Sequence, residues 1–177
     1  LEMLQQHRQA YQREAAALRQ KGRYILVNTN LAVVNSAWGS LEKAVEVMVG
    51  ASELPPAEAR QVVLKAIEVE SANRKTIVSL VKWMARELRG FRIVVRPHPA
   101  ENASAWQDIP GIELVIGSNA IPWMLGAELV VHTGSTTGLE AVLLGIPCLN
   151  VGQPDQRLIL DQVNCSIPSP QAAAEAI

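Results

Sequence analysis

The segment Glu128–Val151 constrains the fold most strongly, because a strand, a small polar turn, a helix and a second strand follow one another in it. A short apolar run at 129–131 predicts a buried strand, and small polar residues at 132–134 predict a turn. A helical pattern follows at 135–144, and apolar residues at 146–151 predict the next strand. This order is that of a βαβ unit. Its turn brings backbone N–H groups and hydroxyls to a helix N-terminus, where an anion is stabilised.

The rest of the chain continues this alternation of strands and helices. Three further short apolar runs, at 24–27, 91–95 and 112–116, predict strands, and helical patterns separate them. Short strands that are apolar throughout indicate a parallel sheet that is covered on both faces. We therefore predict an α/β fold with a Rossmann-like parallel sheet of five strands and helices on both faces.

The helical patterns suggest how the chain is divided. Residues 1–22 predict an amphipathic linker helix, and residues 23–177 predict a Rossmann-like nucleotide-binding domain. Ser40 predicts the N-cap of a helix that runs to Gly50. A long helical pattern runs from Pro56 to Arg89, and its length predicts a bend or break near residues 71–73.

Both ends of the chain also carry expectations. The segment from 164 to 170 has no clear pattern and predicts irregular structure. The chain starts with Leu1 and stops within a helical pattern, so we expect a fragment of a longer, two-domain protein.

The composition excludes several classes of protein. A net charge of −1 and an aromatic content of 4% do not indicate a nucleic-acid binder. Two cysteines, Cys148 and Cys165, give no disulfide framework, which fits a reducing compartment. No apolar run approaches the ~20 residues that a membrane span needs, and no signal peptide opens the chain.

Three polar segments follow predicted strands directly, at 28–30, 96–99 and 132–137. The carboxyl ends of parallel strands lie at one edge of a sheet, where ligands bind. Two prolines hold the loop around His98 extended and present its imidazole with little entropy left to lose. Arg96, His98, His132 and several hydroxyls together are the kinds of group that bind a phosphate.

Each of these features also has a purely structural explanation. Residues 28–30 fit an ordinary polar turn, and His98 fits a residue that caps a neighbouring backbone group. Any helix start favours Ser or Thr at its N-cap, which explains one hydroxyl of Ser135, Thr136 and Thr137. Glu140 either interacts with the helix dipole or accepts hydrogen bonds from a ribose diol. No Walker-type loop and no GxGxxG motif occur, and His98 and His132 lack metal-ligand spacing.

Several motifs together resemble a known family. Residues 138–149 resemble the donor-nucleotide signature of GT-B glycosyltransferases. A longer series occurs in the order typical of bacterial surface carbohydrate biosynthesis proteins, and it comprises residues 24–30, 34–35, 94–102, 121–123 and 132–138. The resemblance covers about residues 20 to 152. It extends more distantly to CDP-glycerol glycerophosphotransferases, capsule Kdo transferases and bacterial sialyltransferases.

The resemblance implies the C-terminal half of a GT-B fold and assigns roles to particular residues. His98 and Arg96 would act as catalytic residues at the donor phosphate, and Glu140 would bind the ribose. The other implied site residues are His132, Gly134, Ser135, Thr136 and Thr137 for the phosphate, and Asn28, Thr29, Asn30 and Glu101 in the cleft.

The resemblance also implies a substrate class. We expect a CMP-, CDP- or UDP-linked sugar as donor, a carbohydrate acceptor that can be lipid-linked, and neither a metal nor a cofactor. The expected function is donor binding in a glycosyltransferase of bacterial surface polysaccharide biosynthesis, for which this chain alone is incomplete. The alternatives are a CDP-alcohol phosphotransferase of the teichoic-acid type, a UDP-sugar 2-epimerase-like enzyme and a non-catalytic nucleotide-binding module. The expected location is the cytoplasm, with the periphery of the inner membrane as the alternative.

Overall fold

The computed structural model describes residues 2–151 and 165–167, which form one sheet with helices packed against it. The strands are β1 (Tyr24–Asn28), β2 (Arg92–Arg96), β3 (Ile112–Leu114), β4 (Leu129–His132), β5 (Cys148–Val151) and β6 (Cys165–Ile167). The helices are α1 (Glu2–Gln20), α2 (Leu41–Gly50), α3 (Pro56–Glu87), α4 (Ser104–Gln107), α5 (Ala120–Gly126) and α6 (Thr136–Leu143).

The strand order confirms the predicted fold class. The sheet runs β3-β2-β1-β4-β5-β6, and every neighbouring pair is parallel. This is the doubly wound order of Rossmann-like sheets. The prediction of five strands is wrong by one, because residues 165–167 pair with β5 although the segment 164–170 was expected to be irregular. Three residues are too few to show an apolar period in the sequence.

Pairing between strands also corrects the strand ends. Arg96 and His132 were assigned to loops, but both pair with Asn28 and are the last residues of their strands. The third strand ends at Leu114, not at residue 116, because its register with β2 covers only 112–114. The sequence from residue 100 to Trp106 predicts a short helix, and this helix begins only at Ser104.

Helices cover both faces of the sheet, as predicted. On one face, α3 packs against alternate strand residues, and the largest α3 contributors to this core are Ile77, Leu80, Val81 and Met84. On the other face, α5 and α6 pack against the intervening strand residues, and α1 lies along α5. Trp123 is buried in this second core, so it packs as a core residue here.

The long helix α3 is continuous, and the break expected near residues 71–73 does not occur. Its 32 residues span about 48 Å, three times the length of a five-residue strand. The C-terminal half covers the sheet. In the middle of α3, Glu70 meets the backbone of Val33 and Val34, which follow the carboxyl end of β1. The N-terminal half therefore extends beyond that edge of the sheet. The helix α3 also packs against α2.

A close contact fixes α1 and α5 to the first strand. The Tyr24 hydroxyl donates to the Trp123 carbonyl oxygen at 2.7 Å, and Arg19 Nε donates to the Gly126 carbonyl at 3.1 Å. Burial raises the pKa of Tyr24 to about 12. A Cβ atom at Gly126 would overlap the Tyr24 hydroxyl and lie 3.1 Å from the Ala15 carbonyl oxygen. Glycine is thus required here by close packing.

We predict that Gly126→Ala lowers the free energy of unfolding by about 1–3 kcal/mol, because the added methyl group overpacks the contact between α5, α1 and β1. Urea unfolding would measure the change. The control is Gly50→Ala at the end of α2, where a Cβ meets nothing within 4 Å. Equal stability of the two variants would contradict the packing role of Gly126.

Candidate functional site

Four polar residues lie side by side at the carboxyl edge of the sheet. Asn28 pairs in register with Arg96 on one side and with His132 on the other, and His132 pairs with Asn150. Residues in register point to the same face of a sheet. We call Arg96, Asn28, His132 and Asn150 the polar row. It lies on the face covered by α5 and α6, since Asn28 and His132 alternate with Val27 and Val131, which belong to the other core.

The polar row coincides with the switch point of the fold. The strand order reverses between β1 and β4, and open parallel sheets bind ligands at this point. Two of the predicted segments therefore meet here, and the Asn30 backbone N–H donates to Thr133 Oγ1 at 2.9 Å to join them. Asn150 was missed by the sequence analysis. Its signal was an amide within an apolar strand.

Asn28 is the most unusual member of the polar row. Its side chain is 2% exposed, and neither Oδ1 nor Nδ2 has a hydrogen-bond partner among the described residues. Leaving a buried amide unpaired costs about 1–3 kcal/mol per group. Most buried polar groups in native proteins are paired, so an exception calls for an explanation. A polar ligand at the switch point would supply one.

The turn between β4 and α6 has a fixed shape. Gly134 adopts a φ of 69°, in the left-handed region, and its N–H donates to Asn150 Oδ1 at 2.9 Å. Ser135 has the backbone geometry of an N-cap, but its hydroxyl makes no capping hydrogen bond, contrary to expectation. Ser135 Oγ is buried without a partner among the described residues. The Ser135 hydroxyl and the first N–H groups of α6 can therefore form hydrogen bonds with a ligand.

The remaining predicted residues of this segment lie on α6 itself. Thr136 and Glu140 are exposed, and Thr137 is half-buried. Glu140 lies about 6 Å along the helix axis from Thr136. These side chains border the switch point from the α6 side, and Glu140 can accept hydrogen bonds from solvent or a ligand.

Arg96 connects the polar row to the loop before α5. Its Nε donates to the Ser118 carbonyl oxygen at 3.1 Å, and its Nη2 donates to the same oxygen. Burial lowers the pKa of Arg96, and the nearby Glu140 carboxylate opposes this shift. The guanidinium is therefore held in place, stays charged, and faces a carboxylate on the opposite border of the site.

His98 lies at the exposed tip of the loop after β2. Its Nδ1 accepts a hydrogen bond from the Ala100 N–H at 3.2 Å, which is the structural role that the sequence also allowed. An accepting Nδ1 requires the proton of a neutral imidazole to be on Nε2. His98 can thus present an N–H donor to solvent or to a ligand.

Glu101 lies beneath the loops and is 5% exposed. Its Oε1 accepts hydrogen bonds from Thr29 Oγ1 at 2.7 Å, the Leu31 N–H at 3.0 Å and the His98 N–H at 3.1 Å. Its Oε2 accepts from Asn35 Nδ2 at 3.2 Å. The carboxylate of Glu101, a predicted site residue, therefore already accepts hydrogen bonds from four donors of the protein itself.

A second carboxylate holds the loop after β1 and was not identified from the sequence. Glu70 Oε2 accepts from the Val33 N–H at 3.0 Å and from the Val34 N–H at 3.3 Å. Burial raises the pKa of Glu70 to about 7, although these two hydrogen bonds oppose the shift, and the charge of Glu101 adds to it. An acidic residue on a long helix carries no sequence signal for this contact.

Two further properties concern metals and membranes. Within residues 2–151 and 165–167, no group of three or more His, Cys, Asp or Glu side chains has the arrangement of a metal site. In the same part of the chain, no helix combines the length and the apolarity of a membrane span.

Three solved glycosyltransferase structures are similar to this chain. The spinosyn rhamnosyltransferase SpnG, complexed with spinosyn aglycone, has 20% identity and a TM-score of 0.49 over 86% of this chain and 34% of that protein. The β-Kdo 2,7-transferase of Thermosulfurimonas dismutans KpsC has 18% identity and a TM-score of 0.44, over 96% of this chain and 51% of that one. The β-Kdo 2,4-transferase of the same KpsC has 11% identity and a TM-score of 0.47, over 94% and 50%.

This chain thus spans between a third and a half of the length of these proteins. No protein-family model matches the chain, and no curated protein matches its sequence significantly.

The raised pKa of Glu70 predicts a pH dependence of stability. Between its ordinary pKa of 4.5 and about 7, the folded state binds more protons than the unfolded state, so stability falls as the pH rises through this range. We expect Glu70→Gln to remove this slope and to be more stable than the parent protein at pH 8 by about 2 kcal/mol. Urea unfolding from pH 4.5 to 8 would measure it. Parallel curves for the two proteins would contradict the assignment.

Proposed function

We propose that this chain is the donor-binding domain of a glycosyltransferase and that it binds the nucleotide and phosphate of a sugar nucleotide at the switch point. One observation carries the proposal. The buried amide of Asn28, which has no hydrogen-bond partner among the described residues, lies between Arg96 and His132 on the face that α6 covers. A polar site at the switch point of a doubly wound sheet is the usual position for a nucleotide.

The proposed phosphate position is the beginning of α6. The free N–H groups and the positive end of the helix dipole favour an anion there. Ser135 Oγ adds a donor without a partner among the described residues. Arg96 supplies a half-buried positive charge, whose attraction for an anion is screened less than at a fully exposed position. These groups would stabilise the charge that develops on the leaving phosphate during glycosyl transfer.

Two further residues would complete donor binding. Glu140 is exposed on α6, and its carboxylate can accept hydrogen bonds from both hydroxyls of a ribose. His98 would donate from Nε2 to a phosphate oxygen. In this proposal, Asn28 and His98 bind the donor, and the carbohydrate acceptor is bound by a part of the protein outside this chain.

The sequence motifs favour glycosyl transfer over the other reactions that use a similar nucleotide site. A CDP-alcohol phosphotransferase, a UDP-sugar 2-epimerase and a non-catalytic nucleotide-binding module would each need the same phosphate contacts. The nucleotide that binds separates these functions. A preference for CMP supports a Kdo- or sialic-acid-type transferase, CDP a phosphoalcohol transferase, and UDP a hexose transferase or an epimerase.

The first experiment is calorimetric titration of the 177-residue chain with CMP, CDP, UDP and GDP. We expect one of them to bind, and Asn28→Leu to weaken its binding about tenfold, or about 1.4 kcal/mol. The same variant should be at least as stable as the parent protein, because it removes a buried amide that has no hydrogen-bond partner among the described residues.

A matched control separates binding from folding. Asn73 on α3 is also a buried amide, but it has an interaction partner. Asn73→Leu should therefore lower stability and leave nucleotide affinity unchanged. If none of the four nucleotides binds, the proposed function is wrong. If Asn28→Leu and Asn73→Leu weaken binding equally, Asn28 has no special place in the site.

The role of Glu140 predicts a preference for ribonucleotides. We expect the chain to bind the ribonucleotide at least tenfold more tightly than its 2′-deoxy form. In Glu140→Gln we expect this ratio of affinities to fall to about threefold or less, because a charged acceptor forms stronger hydrogen bonds than a neutral one. Competition titrations would measure both ratios. Glu46→Gln on the exposed side of α2 is the control. An unchanged ratio in Glu140→Gln would show that Glu140 does not contact the ribose.

A further inference from the structure

Two loops that border the proposed site converge on one buried side chain. The first loop follows β1 and includes Thr29, Leu31 and Asn35, and the second follows β2 and includes His98. All four residues donate a hydrogen bond to the carboxylate of Glu101. Both loops contain predicted site residues. The strands that they follow, β1 and β2, lie more than 60 positions apart in the sequence.

Backbone contacts confirm that the two loops form a unit around this carboxylate. The Ala37 N–H donates to the Ala100 carbonyl oxygen at 2.9 Å, and the Asn102 N–H donates to the Asn35 carbonyl oxygen at 2.7 Å. Ser36 and Glu101 form an antiparallel bridge. The loops are thus joined at their surface by backbone and beneath it by one carboxylate.

We infer that Glu101 is the positioning residue of the site: its buried carboxylate holds the loop of His98 and the loop of Thr29 in one geometry, so that ligand affinity depends on Glu101 although it does not touch the ligand. This inference rests on the proposed function for the ligand involved. The geometry of the two loops is independent of it.

The distribution of donors shows that one carboxylate oxygen of Glu101 links the two loops. Three of the four donors share Oε1, and they include one backbone N–H from each loop. Hydrogen bonds to an ionised acceptor are roughly twice as strong as those between neutral groups. Glutamine keeps an oxygen for these three donors and loses only the acceptor opposite Asn35. Alanine loses all of them.

The structure offers a control on the same loop. Glu70 is a largely buried carboxylate that also holds the loop after β1, through Val33 and Val34, but within the described part of the chain it has no hydrogen bond to the loop of His98. Glu70→Ala therefore removes an anchor of one loop, and Glu101→Ala removes the link between two. General loosening of the first loop would affect both variants.

The experiment compares Glu101→Ala, Glu101→Gln and Glu70→Ala in the 177-residue chain. Calorimetry uses the nucleotide that the unsubstituted chain binds most tightly, and backbone amide exchange is followed by NMR. We expect Glu101→Ala to lose at least tenfold in affinity. Glu101→Gln and Glu70→Ala should stay within about threefold of the parent chain. Exchange at the Leu31 and His98 amides should accelerate at least tenfold in Glu101→Ala and less in Glu101→Gln.

The outcomes separate this inference from the proposed function. Parent-like affinity in Glu101→Ala, or an equal loss in Glu70→Ala, would overturn the positioning role. If the parent chain binds no nucleotide, the proposed function fails, and amide exchange alone decides the inference. Faster exchange at both amides in Glu101→Ala, with rescue by Glu101→Gln, supports it. Unchanged exchange at either amide in Glu101→Ala overturns it. If Glu101→Ala does not fold, Glu101→Gln decides: exchange at Leu31 and His98 that is faster than in the parent chain supports the inference, and unchanged exchange overturns it.

Discussion

The pairing of β1 with β4 is the constraint on which the rest of the site depends. It joins residues 25–28 to residues 129–132, about a hundred positions later, and reverses the order of the strands at that point. The connections from the two strands then leave on opposite sides, so an opening remains between them. The pairing also fixes the register, because a slip by one residue would turn the polar row to the face of α3.

The same edge of the sheet contains the features that are least favourable for stability. Asn28 has a buried amide without a partner among the described residues, and Glu70 has a carboxylate whose pKa burial raises to about 7. The opposite ends of the strands are tied by favourable contacts, such as the hydrogen bond of Tyr24 to Trp123. Proteins commonly keep unfavourable local features where they bind ligands and balance them elsewhere. This distribution fits a site at the carboxyl edge.

The sequence predicted those parts of the fold that depend on local patterns. The apolar runs gave the position of β1 and β4, and Ser40 gave the cap of α2. It did not predict what depends on distant pairing. Arg96 reads as a loop residue because it is charged, yet register with Asn28 keeps it in the strand. The break expected in α3 was wrong because apolar residues continue the buried stripe through its C-terminal half.

The site was predictable to a similar extent and for the same reason. Polar residues directly after apolar strands are visible in a sequence, and Asn28 and His132 were found in this way. The side chains that hold the neighbouring turns come from distant positions of the sequence. Glu70 is an acidic residue in the middle of a helix, which does not differ from an ordinary surface pattern, whereas Asn150 is visible only as an amide within an apolar strand. Side chains that support a site through contacts across the fold have no period or spacing of their own.

The electrostatics of the site show why net charge is a poor guide to its ligand. The chain has a net charge of −1, and the site itself contains two carboxylates, Glu101 and Glu140. The carboxylate of Glu101 accepts hydrogen bonds from four donors of the protein, and Glu140 lies at the exposed border. What remains for an anion is the start of α6 and the half-buried guanidinium of Arg96. Because fields from fixed dipoles decay within about one helical turn, this attraction is confined to the beginning of α6 and is compatible with an acidic surface elsewhere.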